Sequence, residues 1–89
     1  MLFSFNVRNL QSEGPVNLFP NPGNGKVFIQ SDEVITSLKV NTIQGKEIYR
    51  AKGVQDYALS IDLSGIEPGI YLITLQNNKR SVTCRYIKQ

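Results

Sequence analysis

Side chains that carry acid–base, nucleophilic or metal chemistry are scarce in this sequence. It has no histidine, the commonest general base and metal ligand. A thiolate at Cys84 would lack the basic partner that a nucleophile needs, and its phase with Val82 and Tyr86 favours a small buried hydrophobe. The seven acidic residues lie mostly at predicted turns or strand ends, where solvated or turn-capping roles are expected. We therefore predict that the chain is not an enzyme and uses no metal or cofactor.

Length and charge narrow the remaining classes of function. The 89 residues fit one domain with one thin core, and ten Lys and Arg against seven Asp and Glu give a net charge of +3. The longest basic run is Lys79-Arg80, which lacks the clustered charge expected of a nucleic-acid-binding protein. No stretch approaches the ~20 apolar residues of a transmembrane helix. Neither nucleic-acid binding nor membrane insertion is expected.

Two groups of side chains could still form a binding surface. Tyr49 and Tyr57 could line a platform for a glycan, although half-buried packing is an equally ordinary role for tyrosine. Basic residues also crowd the last eleven positions of the sequence: Lys79, Arg80, Arg85 and Lys88. They form either a solvated edge strand, where charge discourages unwanted pairing, or a charged handle for a partner. The residues alone leave both roles open.

Alternation of apolar and polar residues predicts strands from Val16 onwards. The clearest run places Tyr57, Leu59, Ile61 and Leu63 on one face. No segment has the sustained apolar stripe of a helix. Turn-forming residues separate the runs near residues 21–25, 32–33, 44–46, 52–55, 64–69 and 77–79. This pattern predicts an all-β fold, an Ig-like antiparallel β-sandwich of about seven short strands.

Two corners interrupt these strands with residues that restrict the backbone. In LFPNPGNGKV, at residues 18–27, Pro20 and Pro22 lack amide donors, and Asn24-Gly25 tolerates positive φ. In IDLSGIEPGIYLITL, at residues 61–75, Pro68-Gly69 suits the centre of a type II turn leading into the next strand. Both segments therefore predict rigid changes of chain direction.

Three blocks of the sequence, taken in order, resemble a known family. LFPNPGNGKVFIQ resembles the "YPNP-x-NG" opening of the type A C-terminal sorting domain of the type IX (Por) secretion system of Bacteroidetes. LKVNTIQGKEIY resembles its central "I-x-V-Y-D-x-x-G-K-x-V" hairpin. Residues 61–89 resemble its closing "L-x-x-L-x-x-G-x-Y-x-V-x-x" segment with a basic terminal strand. Phe19 stands where Tyr is common, Asn41-Thr42 where an aromatic residue and Asp are favoured, and Cys84 where Lys is frequent.

The resemblance implies a domain at the carboxyl end of a larger cargo protein. Such a domain directs the attached cargo through the periplasm and across the outer membrane by way of the type IX translocon. A surface protease of the apparatus then usually cuts it off, leaving the cargo at the cell surface or in the medium. The recognition residues that the resemblance implies are Pro20, Asn21, Pro22, Asn24, Gly25, Gly45, Gly65, Pro68, Gly69, Tyr71, Lys79, Arg80, Arg85 and Lys88.

Residues 1–14 are predicted to be a linker or the tail of a preceding region, with a short extra strand as the alternative, and residues 15–89 to be the sorting domain. Cleavage is expected in exposed chain just before Val16, at Gln11, Ser12, Glu13 and Gly14. An open edge on the terminal strand would allow strand addition, and exposed edge strands would allow a dimer. A small module that binds glycan or protein and a structural accessory domain remain competing functions, because a sandwich hosts many activities.

Overall fold

The computed structural model describes residues 16–89, which form a single antiparallel sheet of five strands. The strands are β1 (Val16–Phe19), β2 (Lys26–Thr42), β3 (Glu47–Asp62), β4 (Gly69–Asn77) and β5 (Ser81–Lys88). Their order is β1-β2-β4-β5, and β3 pairs with the other edge of β2. The predicted all-β antiparallel class is confirmed. Within residues 16–89 there is no helix long and apolar enough to cross a membrane.

The long strand β2 organises the sheet because different strands pair with its two halves. Its first half pairs with β1, in a register that sets Phe28 opposite Phe19. Its second half pairs with β4, while β3 follows the opposite edge along almost the whole length. The register with β3 shifts between Gln30 and Ile35 and again between Ile35 and Ser37, so β2 bends there. The bend curls the sheet into a half-barrel.

Apolar side chains fill the inside of the half-barrel. In β4, Tyr71, Ile73 and Leu75 are buried, while Leu72 and Thr74 between them are only partly buried. Burial of each such large apolar side chain stabilises the fold by about 1.5–3 kcal/mol. The buried apolar residues are Val16, Val27, Ile29, Ile35, Leu38, Val40, Ile61, Leu63, Tyr71, Ile73, Leu75, Cys84 and Tyr86. The predicted burial of Cys84 is confirmed.

The seven-strand Ig-like sandwich is not confirmed, because two of the predicted turns do not reverse the chain. Near residues 32–33, the polar segment lies at the bend of β2, where the Ser31 hydroxyl oxygen accepts the amide of Glu33 at 3.1 Å. Near residues 52–55, β3 continues through Gly53 at φ +70°. Each pair of short predicted strands is therefore one long, irregular strand. Turn-forming residues here produce bulges, which a sequence pattern does not distinguish from reversals.

Candidate functional site

The corner loop, which we define as residues 20–25, lies against the end of β5. Gly23 forms a parallel bridge with Lys88. Its amide donates to the carbonyl oxygen of Ile87 at 3.0 Å, and its carbonyl oxygen accepts the amide of Gln89 at 2.8 Å. The Phe19–Pro20 and Asn21–Pro22 peptide bonds, which precede this contact in the chain, are both cis. The loop therefore adds one strand-like residue to the outer edge of the terminal strand.

Asn21 extends this contact with its side chain. Its Nδ2 donates to the carbonyl oxygen of Arg85 at 2.8 Å, and its Oδ1 accepts the amide of Ile87 at 3.0 Å. A side-chain amide carries one donor group and one acceptor, as the backbone does. Asn21 thus imitates a paired strand, at a point where the two flanking prolines have no amide to offer. We call this contact between the corner loop and residues 85–89 the corner–strand junction.

Gly25 connects the junction to the core and to the second corner. Its amide donates to the hydroxyl oxygen of Tyr86 at 2.8 Å in a buried hydrogen bond. Its carbonyl oxygen accepts the amide of Leu63 at 2.6 Å. The backbone has φ +112°, and a Cβ atom would lie 2.5 Å from Cα of Ser64. Only glycine fits this position, because both its conformation and its close backbone contact exclude a side chain.

The second corner closes on itself and on β4. The Asp62 carboxylate accepts the amide of Ser64 at 2.9 Å. Hydrogen bonds from the side chain and then the backbone of Ser64, with a smaller effect of the Lys26 charge, lower the pKa of Asp62. The buried Tyr71 donates its hydroxyl to the carbonyl oxygen of Glu67 at 2.6 Å. These bonds make the segment a rigid partner for Gly25.

The predicted type II turn at Pro68-Gly69 does not form. Gly69 has φ +155° and begins β4, whereas the third residue of a type II turn has φ of about +80°. The chain turns earlier, where the amide of Ile66 donates to the carbonyl oxygen of Leu63 at 3.1 Å. Gly65 lies in this turn, and no atom of residues 16–89 outside its immediate neighbours comes within 4 Å of the position that a Cβ atom would take.

Several other predicted recognition residues lie away from the junction. Gly45 closes the β2–β3 turn at φ +99°, with its amide donating to the carbonyl oxygen of Thr42 at 2.9 Å. Lys79 and Arg80 belong to the β4–β5 turn, where the Asn77 side chain accepts both of their amides. Lys79 also forms an ion pair with Glu33 at 3.1 Å. These positions shape turns at other places in the sheet.

The structure does not bring the four terminal basic residues into one handle. Arg80 and Arg85 are exposed, while Lys79 is paired. Lys88 is only 8% exposed, and its Nζ donates to the carbonyl oxygen of Gln89 at 3.2 Å. Lys88 points inward because it continues the alternation of Cys84 and Tyr86.

The terminal strand lies at the edge of the sheet, as expected, but the outer edge of its last residues is not open. Asn21 and Gly23 already bond the outer backbone groups of Arg85, Ile87 and Gln89. In the part of the chain that the structure describes, three strands pair with a single strand each: β1 and β3 pair with β2, and β5 pairs with β4. A dimer through edge strands stays a prediction.

The sequence interpretation missed the roles of Gly23 and of the Tyr86 hydroxyl. Tyr86 did carry a signal, because a tyrosine in phase with core residues needs a partner for its hydroxyl. The predicted cleavage region, Gln11, Ser12, Glu13 and Gly14, lies outside the described residues, as does the predicted linker at residues 1–14.

Comparison with known proteins shows that the chain matches a protein family. The family model described as "Secretion system C-terminal sorting domain" matches residues 17–89, which include every element described above except the first residue of β1. No curated protein matches the chain.

Proposed function

Because this chain belongs to the family of C-terminal sorting domains of the type IX secretion system, found in Bacteroidetes, we propose that the translocon recognises it through the corner–strand junction. Family membership implies a sorting signal and a protein exported across the outer membrane. In our proposal the folded domain is recognised in the periplasm, carries an upstream cargo, and is cut off afterwards by the surface protease of the apparatus. The domain acts as substrate and label, with no catalytic role.

The observation that carries this proposal is the pair of hydrogen bonds between Asn21, near the start of the domain sequence, and β5, at its end. The bonded residues are 64 and 66 positions apart in sequence. The junction therefore exists only when the domain is folded, and it does not depend on the cargo. Since its backbone is already ordered, a partner binds it with a small entropic cost. A surface with these properties suits a receptor that must accept many cargos.

The test is an export assay with the full 89-residue chain fused behind a periplasm-directed fluorescent reporter in a Bacteroidetes host. We expect reporter at the surface or in the medium only when the translocon is functional. A second known sorting domain, tested in parallel, shows that the reporter can be exported. Reporter retained in the periplasm of both strains, while that control is exported, would refute the proposed function.

Deleting residues 85–89 should also abolish export while the cargo still folds. This deletion removes more than basic side chains, because it also removes the backbone groups to which Asn21 and Gly23 are hydrogen-bonded. Arg85→Ala separates the two effects, since it keeps the carbonyl oxygen that Asn21 binds. If the junction is recognised through its shape, Arg85→Ala retains much more export than the deletion, which retains none.

An exposed aromatic pair favours a second candidate function, a glycan-binding module. The rings of Phe19 and Phe28 stack with centroids 5.8 Å apart and an angle of 23° between planes, and are 43% and 50% exposed. Tyr57, considered above for such a platform, is 57% exposed. Affinity electrophoresis of the chain in polysaccharide gels would show retardation that Phe28→Ala removes; unretarded migration in each gel would count against this candidate.

A further inference from the structure

Basic side chains collect on the outer face of the sheet, away from the core. Lys39 in β2 lies opposite Arg50 in β3 and Thr74 in β4. Because its neighbours Leu38 and Val40 are buried, Lys39 and the residues paired with it project outward.

The next row places Lys52, Ser37 and Gln76 side by side, and Arg85 lies opposite Leu72 on the adjoining strands. We define Lys39, Arg50, Lys52 and Arg85 as the cationic face.

A shallow groove of about 140 Å³ lies within this face. Its walls combine three cations with hydroxyl and amide groups: Lys39, Arg50, Lys52, Ser37, Thr74 and Gln76. Such a lining offers charged and neutral hydrogen-bond donors on a rigid sheet, which is the chemistry that an oxygen anion requires.

One carboxylate of the chain already occupies the border of this face. Glu47 accepts hydrogen bonds from Arg50 at 2.9 and 2.5 Å. The bond to Arg50 lowers the pKa of Glu47 most, and the charges of Arg50, Lys39 and Lys52 lower it further. Within residues 16–89, neither of these two lysines forms an ion pair. The face therefore keeps positive charge for an external anion after Glu47 is satisfied.

We propose that the cationic face docks an acidic polypeptide surface of the secretion machinery, an inference that rests on the proposed function and names the chemistry of the partner. The face also presents partly exposed Ile70 and Leu72 beside the charges, and a mixture of apolar area and Arg is typical of protein interfaces. Membrane-binding segments instead gather about 4–8 basic residues in one short run of sequence. Here the basic residues are distributed over three strands, β2, β3 and β5.

Charge reversal in the export assay tests the proposal. The variant Lys39→Glu/Lys52→Glu of the full chain places like charges against an acidic partner, which opposes association strongly, so export should fall at least about tenfold. The matched control, Lys26→Glu/Lys46→Glu, changes the net charge equally at positions that do not line the groove. The purified variants should unfold at temperatures close to that of the parent chain, which shows that they fold.

The outcomes separate the two proposals. Failure of the parent fusion to be exported refutes the proposed function itself. Export of the parent and of Lys39→Glu/Lys52→Glu at equal levels overturns the docking surface alone. Equal loss in the control variant overturns it too, because total charge and not this face would then matter.

The identity of the occupant is tested by a photo-crosslinking amino acid at Thr74, in the groove. We expect cross-links to a polypeptide segment rich in Asp and Glu, lost in Lys39→Glu/Lys52→Glu. Cross-links to a segment without acidic residues would contradict the proposal. Co-sedimentation of the purified chain with phosphatidylglycerol vesicles, but not phosphatidylcholine vesicles, and its loss in the same variant would assign the face to a membrane and overturn a polypeptide partner.

Discussion

Removal of the Asn21 side chain measures how strongly the corner loop holds the terminal strand. Asn21→Ala deletes one donor to Arg85 and one acceptor for the amide of Ile87. A protein hydrogen bond contributes about 0.5–1.5 kcal/mol net, so the pair contributes about 1–3 kcal/mol. Because both bonds are exposed, water replaces the lost partners and the lower half of that range, about 1–2 kcal/mol, is expected. For a domain of this size, each kcal/mol lowers the melting temperature by about 4–8 °C.

Chemical denaturation gives the free energy of unfolding, and amide hydrogen exchange locates the change. In Asn21→Ala the amide of Ile87 loses its acceptor and should exchange faster than in the parent chain by more than the global loss of stability explains. Asn24→Ala is the matched control, since the same residue type in the same loop accepts, within residues 16–89, only the Lys26 amide, at 3.5 Å. That variant should change stability by less than about 0.5 kcal/mol.

Equal destabilisation by Asn21→Ala and Asn24→Ala would refute the reasoning, because the two bonds to β5 would then contribute nothing measurable. Unchanged exchange at Ile87 would refute it as well. In the export assay Asn21→Ala should reduce export more than Asn24→Ala, if the junction is the recognised surface.

Three further changes test the contacts around this junction. In urea denaturation, Gly25→Ala should lower the free energy of unfolding by about 3 kcal/mol, because of backbone strain and a clash with the backbone of Ser64. Gly45→Ala, with open space around the new methyl group, should lower it by only about 1–2 kcal/mol. Tyr86→Phe leaves the buried amide of Gly25 without an acceptor and should lower the unfolding free energy by about 1–3 kcal/mol. Because the pKa of Asp62 is lowered in the folded state, the ionised carboxylate stabilises the fold fully above the unfolded carboxyl pKa of about 3.9. This stabilisation is lost as the pH falls through the folded pKa, so the urea midpoint of Asp62→Asn should fall less on acidification than that of the parent chain.

Elements with regular alternation could be predicted from the sequence, whereas irregular ones could not. The alternation that ends β3, from Leu59 to Leu63, is found in the structure with Ile61 and Leu63 buried. The polar segment near residues 32–33 has the composition of a turn, yet the chain passes through it as a bulge in β2. The outcome depends on pairing with β3 far along the chain, which local composition does not contain.

The candidate site was predictable in its parts but not in its assembly. Asn21 and Gly25 are recognisable as corner residues, and glycine at Gly25 is required by a backbone contact with Ser64. The bonds from Asn21 to β5 join residues 64 and 66 positions apart, and no local pattern reports such a distance. Lys88 was misplaced for a related reason: a charged residue near the end of a chain is ordinarily exposed, but here the alternation of β5 turns it inward.

The junction also explains why a sorting signal of this kind would be a folded domain and not a short tail. A linear basic tail could be recognised on unfolded cargo, because it needs no distant residues to take its shape. The outer edge of residues 85–89 takes its shape from Asn21, Gly23 and Gly25, at the opposite end of the sequence. Any local opening that frees β5 breaks the junction, since its bonds are made across that edge. On the proposed function, recognition therefore requires that the whole domain be folded, and variants that loosen the junction should lose export before they lose the fold.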